Sequence, residues 1–114
     1  MILFRAFLVA VFLVIACYTL QVIADHGVNL LPVFFGDMIK MQWPGQFNLD
    51  FMCMLLLSGI WISWRHQFSV AGVTLALVAV FGGALFLSAY LLVESYRAKG
   101  DSRILLLGAA RASR

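Results

Sequence analysis

Four ionisable side chains stand beside long apolar segments and have the types needed for chemistry: Asp25, His26, Asp50 and Glu94. Carboxylates together with a histidine can bind a cation or relay protons. Asp25 and His26 end one apolar segment, Asp50 opens a second and Glu94 closes a third. If successive segments run antiparallel, these four residues reach the same end of the molecule. They are therefore the candidate catalytic set.

Each member of this set also has a purely structural interpretation, which stays open beside the catalytic one. Asp50 lies in the first turn of its segment, where an acid complements the positive end of a helix dipole. Glu94 can pair with Arg97 or Lys99 about one turn further on. The spacing of the set matches no metal-binding motif.

Other motifs of familiar enzymes are absent from the sequence. Cys17 and Cys53 form no CxxC, zinc or haem-attachment pattern. There is no phosphate-binding loop, nucleophile elbow or HExxH. We therefore predict no cofactor and no metal, and the absence of these motifs favours a protein that is not an enzyme.

The composition identifies the elements that must position these residues. Hydrophobic residues make up 64% of the 114 residues and charged residues only 11%, against roughly 25% charged in soluble domains. Too few charges exist to cover a soluble globule, so the outer surface must face lipid. Three segments, about 6–24, 47–64 and 68–93, are long and apolar enough to cross a bilayer as helices.

The connections predict the rest of a single membrane domain over residues 1–114. A short link at Arg65–Gln67 makes the second and third segments an antiparallel hairpin. The long first connection holds an apolar stretch, about 30–41, that we expect to lie in the headgroup region. The basic tail, 101–114, follows Gly100 and is expected to lie on the membrane surface or to be disordered. The predicted fold class is all-α integral membrane.

The net charge of +3 is better explained by topology than by nucleic-acid binding. With three crossings, Arg5 and Arg65 share one side, while Lys40 and the tail cations share the other. Counting cations predicts a cytoplasmic C-terminus, whereas Arg5 beside the first segment argues for the reverse. Two alternatives concern cysteine: a lipoprotein signal ending at Cys17, and a disulfide between Cys17 and Cys53.

Small residues in the third segment predict a helix-packing face, because they let helix backbones approach closely in lipid. The set is Gly72, Ala76, Ala79, Gly83, Ala84 and Ser88. Such a face serves packing within the chain or against another subunit, so a larger membrane complex or a homo-oligomer is an expected partner besides the bilayer.

Several short patterns give the chain a likeness to other proteins between Tyr18 and Arg97. They are His26-Gly27, Phe47 to Asp50, Ser58, Trp61, Arg65, Gly82-Gly83, Leu87 and Tyr90-Leu91. In these the chain resembles a family of small bacterial membrane proteins that carries only the designation of a domain of unknown function. The resemblance implies about three membrane spans and no assigned activity, and we expect the protein to lie in a bacterial inner membrane.

Three functional hypotheses follow. The first is a structural or accessory subunit of a membrane assembly, acting by helix packing. The second is a small carrier or membrane enzyme that acts on a lipid-soluble substrate through Asp25, His26, Asp50 and Glu94. The third, a homo-oligomeric channel, is weaker, because none of the segments is lined by polar residues along its length.

Overall fold

The protein consists of helices joined by short turns in the part of the chain that the computed structural model describes, residues 1–113. Its helices are α1 (Ile2–His26), α2 (Leu31–Ile39), α3 (Trp43–Arg65), α4 (Val70–Arg97), α5 (Ser102–Leu107) and α6 (Ala109–Ala112). By length and composition, α1, α3 and α4 are each apolar and long enough to cross a membrane. The predicted all-α membrane class is confirmed at this level.

The first connection contains the expected short helix, α2, with Pro32 in its first turn, where its missing N–H costs no hydrogen bond. It packs on the start of α3, and the Asn48 amide donates to Phe34 O at 3.1 Å. Asn48 therefore ties α2 to α3. Helix α3 begins at Trp43, earlier than the predicted start at about residue 47, and its N-cap residue Gln42 makes no side-chain capping bond.

The link between α3 and α4 is the tight turn that the sequence predicts. The Ser69 hydroxyl caps α4 by accepting the Gly72 N–H at 3.1 Å, which satisfies one of the unpaired amides of the first turn. Further along, a Cβ added to Gly59 of α3 would lie 3.4 Å from Ala76 O. The first half of α4 therefore packs closely and antiparallel against α3.

Helix α4 folds back on itself at Gly83, which the sequence analysis did not anticipate. Gly83 has φ 58° and ψ −143°, a backbone conformation that side-chain-bearing residues rarely adopt. A Cβ at this position would also lie 3.0 Å from Phe51 Cζ. Each half of α4 is about 20 Å long at 1.5 Å per residue, so α4 reaches inward by half its length and then returns.

Two long-range contacts establish the return. Glu94, near the end of α4, lies 3.2 Å from Arg65 at the end of α3. Ser95 accepts a hydrogen bond from Arg5 at the start of α1. A straight α4 would place Glu94 more than 30 Å from Arg65, since about 24 residues at 1.5 Å each separate it from the start of the helix.

The fold-back brings most of the cations to one end of the molecule, which we call the basic end. It holds the start of α1, the end of α3, both ends of α4, and α5 with α6. Its cationic residues are Arg5, Arg65, Arg97, Lys99, Arg103 and Arg111. The opposite end, the acidic end, holds Asp25, Asp37 and Asp50 beside Lys40. The prediction that the tail cations lie opposite Arg5 and Arg65 is wrong, because it assumed a straight third helix.

The small residues of α4 lie inside the chain. Gly72, Ala76, Ala79, Gly83 and Ser88 are buried, and Ala84 is half-buried. Ala79 joins Ile62 and Tyr90 in the apolar core. Their burial serves packing among α3 and the two halves of α4, so the fold uses this face internally.

The tail forms the two short helices α5 and α6. Asp101 caps α5, its carboxylate accepting the Arg103 N–H at 2.9 Å. Arg114, the last residue of the predicted basic tail, lies outside the described residues. Cys17 and Cys53 are both free and exposed, so the alternative of a disulfide between them is not adopted.

Candidate functional site

The largest polar cluster lies at the basic end and is centred on Arg65, a buried arginine that closes α3. Its Nε donates to Leu105 O at 2.6 Å, one terminal nitrogen to the Tyr90 hydroxyl at 3.1 Å, and the other to Ile104 O at 3.4 Å. Because the guanidinium is planar and fixed, these donors hold α5 and α4 in a set relation to α3.

Glu94 supplies the counter-charge. One carboxylate oxygen lies 3.2 Å from the second terminal nitrogen of Arg65, and the other lies 3.1 Å from Arg97. The side chains of Arg65 and Glu94 are only 5% and 8% exposed, whereas that of Arg97 is 70% exposed. Charges withdrawn from water must be paired to be tolerated, and here each compensates the other.

Tyr90 and His66 extend the cluster towards the α3–α4 turn. The Tyr90 hydroxyl lies 2.6 Å from His66 Nε2, which is also 3.4 Å from Arg65. Burial, followed by the adjacent Arg65 charge, lowers the pKa of His66 below its usual 6.5. The imidazole is therefore neutral near pH 7, and its Nε2 accepts a hydrogen bond from the Tyr90 hydroxyl.

The tail closes over this cluster through contacts from both tryptophans at the end of α3. Trp61 Nε1 donates to Leu106 O at 3.0 Å. Arg111 donates to Trp64 O and stacks on the Trp64 ring at 4.1 Å. Gly108, with φ 83°, permits the close approach, because a Cβ there would lie 2.5 Å from Arg65 O.

Arg5 attaches α1 to the same end. Its Nε and a terminal nitrogen donate to Ser95 Oγ at 3.0 Å and Ser95 O at 2.9 Å, and its guanidinium lies 3.8 Å from the centroid of the Tyr96 ring. The polar cluster thus joins α1, α3, α4 and α5. The side chains of the cluster hold these helices together by ion pairs and hydrogen bonds.

The four residues predicted as a catalytic set do not converge. Asp50 precedes Arg65 by about 22 Å along α3, and Asp25 follows Arg5 by about 30 Å along α1, at 1.5 Å per residue. Glu94 contacts Arg65 and therefore lies at the other end from both. The expectation that Glu94 shares an end with Asp25, His26 and Asp50 is wrong, because α4 folds back at Gly83. Of the two predicted partners of Glu94, Arg97 and Lys99, the structure pairs it with Arg97.

The remaining members of that set are exposed at the acidic end. Asp25 accepts a hydrogen bond from Gln21 at 3.0 Å, a contact between successive turns of α1. No group of three potential metal ligands among His, Cys, Asp and Glu occurs in residues 1–113. A cavity of about 490 Å³ at this end is lined by apolar and amide side chains, including Met38, Trp43 and Leu49.

Sequence reasoning missed Arg65, His66 and Tyr90 as members of one site. Arg65 and Tyr90 are among the residues that carry the resemblance, and Arg65 also serves to assign a membrane side, but nothing in the sequence joins them to His66. The available signal was an arginine at the end of an apolar segment, which requires a partner. Glu94 is its partner, but that pairing depends on the break at Gly83, which no periodicity in the segment reveals.

Together the fold and this cluster define an all-helical integral membrane protein whose buried ion pair closes one end of the bundle. No protein-family model matches the chain, and no curated protein or solved structure matches it. The resemblance to small bacterial membrane proteins therefore stays a prediction, and the function must be argued from this geometry.

Proposed function

We propose that the chain is a structural or accessory subunit of a membrane assembly, docking through the second half of α1. The observation that carries this proposal is the lack of intrachain neighbours there. Of the 25 residues of α1, only Leu8 is buried, and the polar contacts of α1 with the bundle come from Arg5. Both residues lie in the first half of the helix. Arg5 lies beside Ser95, and the chain from Ser95 back to the turn at Gly83 spans about 18 Å at 1.5 Å per residue, so α4 runs alongside α1 only as far as about residue 17.

Polar side chains on this free half favour a protein neighbour over lipid alone. The Thr74 hydroxyl of α4 donates to its own helix at Val70 O, at 2.8 Å, whereas the Thr19 hydroxyl makes no hydrogen bond within residues 1–113. Gln21 uses its amide N–H towards Asp25. In lipid such groups commonly bond across to another helix, because hydrocarbon offers no partner.

The polar cluster at the basic end supports a structural role for the chain. The guanidinium of Arg65 is occupied by Leu105, Tyr90, Ile104 and Glu94. A group with these fixed partners is suited to hold the bundle in shape. The carrier or enzyme hypothesis gains no support from geometry, since its four residues are divided between opposite ends.

The orientation forms part of the same proposal. We infer that α1 and α3 cross the bilayer and that α4 enters and leaves on the side of the basic end. Cytoplasmic flanks carry the excess of Lys and Arg, so this end, with the start of α1 and the end of α6, is assigned to the cytoplasm. The bacterial inner membrane is proposed on the resemblance stated above.

The test is the native mass of the protein after extraction in a mild detergent, with co-purifying proteins identified. A second protein in fixed stoichiometry is expected, and the double variant Thr19→Val, Gln21→Leu should release it. Thr74→Val is the matched control, because that hydroxyl already has a partner in its own helix. Recovery of the wild-type chain as a monomer alone would overturn the proposal. Recovery as a homo-oligomer would mean that α1 docks on a second copy of this chain and not on a larger partner.

Gly83 is unsuited to this test, although it belongs to the predicted packing face. A bulky residue there would meet Phe51 of the same chain. The variant would therefore disturb the fold-back of α4 before it reported on any partner.

A further inference from the structure

The outer side of the polar cluster opens into a cavity of about 320 Å³ at the basic end. Its polar wall comes from the α3–α4 turn and the end of α4, including His66, Gln67 and Arg97. Its apolar wall comes from the tail, including Ile104 and Ala109. We propose that this cavity binds the phosphate of an anionic phospholipid headgroup, with Arg97 as its principal ligand.

Arg97 has donors available for an anion. One terminal nitrogen bonds Glu94 at 3.1 Å, and no other hydrogen bond of its guanidinium occurs among residues 1–113. Its side chain is 70% exposed. A guanidinium can therefore keep its carboxylate partner and still present N–H groups to a phosphate in the paired geometry that suits it.

The acid in the cavity wall does not oppose such binding. The Glu94 side chain is 8% exposed, and each of its oxygens already faces an arginine. One carboxylate shared by two guanidinium groups leaves a net positive charge at the mouth. Gln67 is exposed beside it, and its side-chain amide adds an uncharged donor within the same wall.

The surroundings favour a lipid over a soluble anion. The cavity lies beside the tryptophans and Tyr96 at the end of the helices, the depth at which aromatic side chains meet headgroups. Lys99 and Arg111 lie at the same end of the molecule and raise the local concentration of anionic lipid. The apolar tail residues in the opposite wall, Ile104 and Ala109, suit the glycerol and first acyl carbons next to a phosphate. This site does not depend on the accessory-subunit proposal.

The test uses the full chain in zwitterionic phosphatidylcholine nanodiscs, titrated with short-chain phosphatidylglycerol. Tryptophan fluorescence reports binding, because Trp61 and Trp64 both contact the tail. Saturable binding of one lipid is expected, confirmed by native mass. Arg97→Gln should weaken it at least about tenfold, the effect of losing one charge-assisted hydrogen bond.

Lys99→Gln is the matched control, since it removes the same charge at the same end but outside the cavity. It should change the affinity by less than about threefold, as expected for a screened surface charge. Equal losses in the two variants, or binding that does not saturate, would overturn the site in favour of diffuse surface attraction. Inorganic phosphate that binds as tightly as the lipid would overturn the choice of a lipid, and short-chain phosphatidylcholine that binds equally would overturn the need for net negative charge.

Discussion

The Arg65 guanidinium and the Glu94 carboxylate form a buried ion pair at 3.2 Å, although each stands near the C-terminal end of a different long helix. Two consecutive antiparallel helices would place these ends on opposite sides of a membrane. The pair exists because α4 reverses at Gly83. This contact therefore links the charge distribution of the molecule to its backbone path.

The first prediction concerns the stability that this pair confers. Arg65→Met leaves Glu94 with Arg97 alone and removes the hydrogen bonds to the tail, so we expect a loss of about 3–5 kcal/mol in the free energy of unfolding, as for other broken buried pairs. Unfolding in mixed micelles, followed by tryptophan fluorescence, measures it. Combining Arg65→Met with Glu94→Gln should cost less than the sum of the two single changes.

Arg97→Gln is the control for that experiment. Its side chain is largely in solvent, so the loss should stay below about 1 kcal/mol. Equal destabilisation by Arg65→Met and Arg97→Gln would contradict a buried, structural role for Arg65.

The second prediction concerns the reversal of α4. Gly83→Ala should destabilise the protein by about 1–3 kcal/mol, because the backbone conformation is unfavourable for a side chain and the new methyl meets Phe51. Gly36→Ala in α2 is the matched substitution, with open space around the added Cβ. It should be neutral or stabilise by about 0.5–1 kcal/mol. Thermal unfolding that ranks the two variants in the other order would argue for a straight α4.

The third prediction concerns membrane topology. Reporter domains fused separately to the N-terminus and the C-terminus should both be active on the cytoplasmic side, since α1 begins and α6 ends at the basic end. A cysteine at Lys40 should react with an impermeant thiol reagent from the opposite side, in a chain whose Cys17 and Cys53 are replaced by serine. A C-terminal reporter on the side opposite the N-terminal one would mean that α4 crosses the membrane completely.

The fourth prediction concerns pH. Burial and the Arg65 charge lower the pKa of His66 below 6.5, so the unfolded chain takes up this proton before the folded chain does. The stability that neutral His66 contributes is then fully present above about pH 6.5. It is lost as the pH falls towards the lower pKa of His66 in the folded protein, by at most about 1.4 kcal/mol per pH unit. Protonated His66 would also be repelled by the Arg65 charge and could no longer accept the hydrogen bond from the Tyr90 hydroxyl.

The measurement for this prediction is the unfolding midpoint between about pH 7.5 and 5.5, the range in which histidine titrates. His66→Gln should flatten the dependence, since an amide oxygen can accept from Tyr90 without titrating. The other groups facing His66 are Arg65, Glu94 and Arg97, and they are unchanged in this variant. His26→Gln, at the acidic end, should keep the wild-type slope. An unaltered slope in His66→Gln would assign the dependence elsewhere.

The features of the fold that the sequence predicts correctly are those that depend on local interactions. Long uncharged segments must satisfy their backbone hydrogen bonds internally in lipid, so α1, α3 and α4 are helices. The tight turn after Arg65 follows from a link too short for any other path. The short helix α2 follows from an apolar stretch that begins at Pro32. None of these features depends on distant contacts.

The candidate site could not be assembled in the same way. Asp25, His26, Asp50 and Glu94 were grouped by counting membrane crossings, and that count depends on a straight third helix. Gly83, with its positive φ, reverses the direction of α4. Because Gly82 precedes it, the sequence does not show which of these two glycines forms the turn. Glu94 thereby exchanges its expected neighbours for Arg65.

The sequence by itself determined the membrane class, the helical segments and the antiparallel start of α3 and α4, because composition and hydrogen-bond satisfaction act locally. The tertiary structure alone decided that α4 returns at Gly83, that the cations gather at one end, and that Arg65 pairs with Glu94. These outcomes depend on the packing of Gly83 against Phe51 and on the pairing of charges withdrawn from water. Both are contacts between residues far apart in the chain, and no local pattern encodes them.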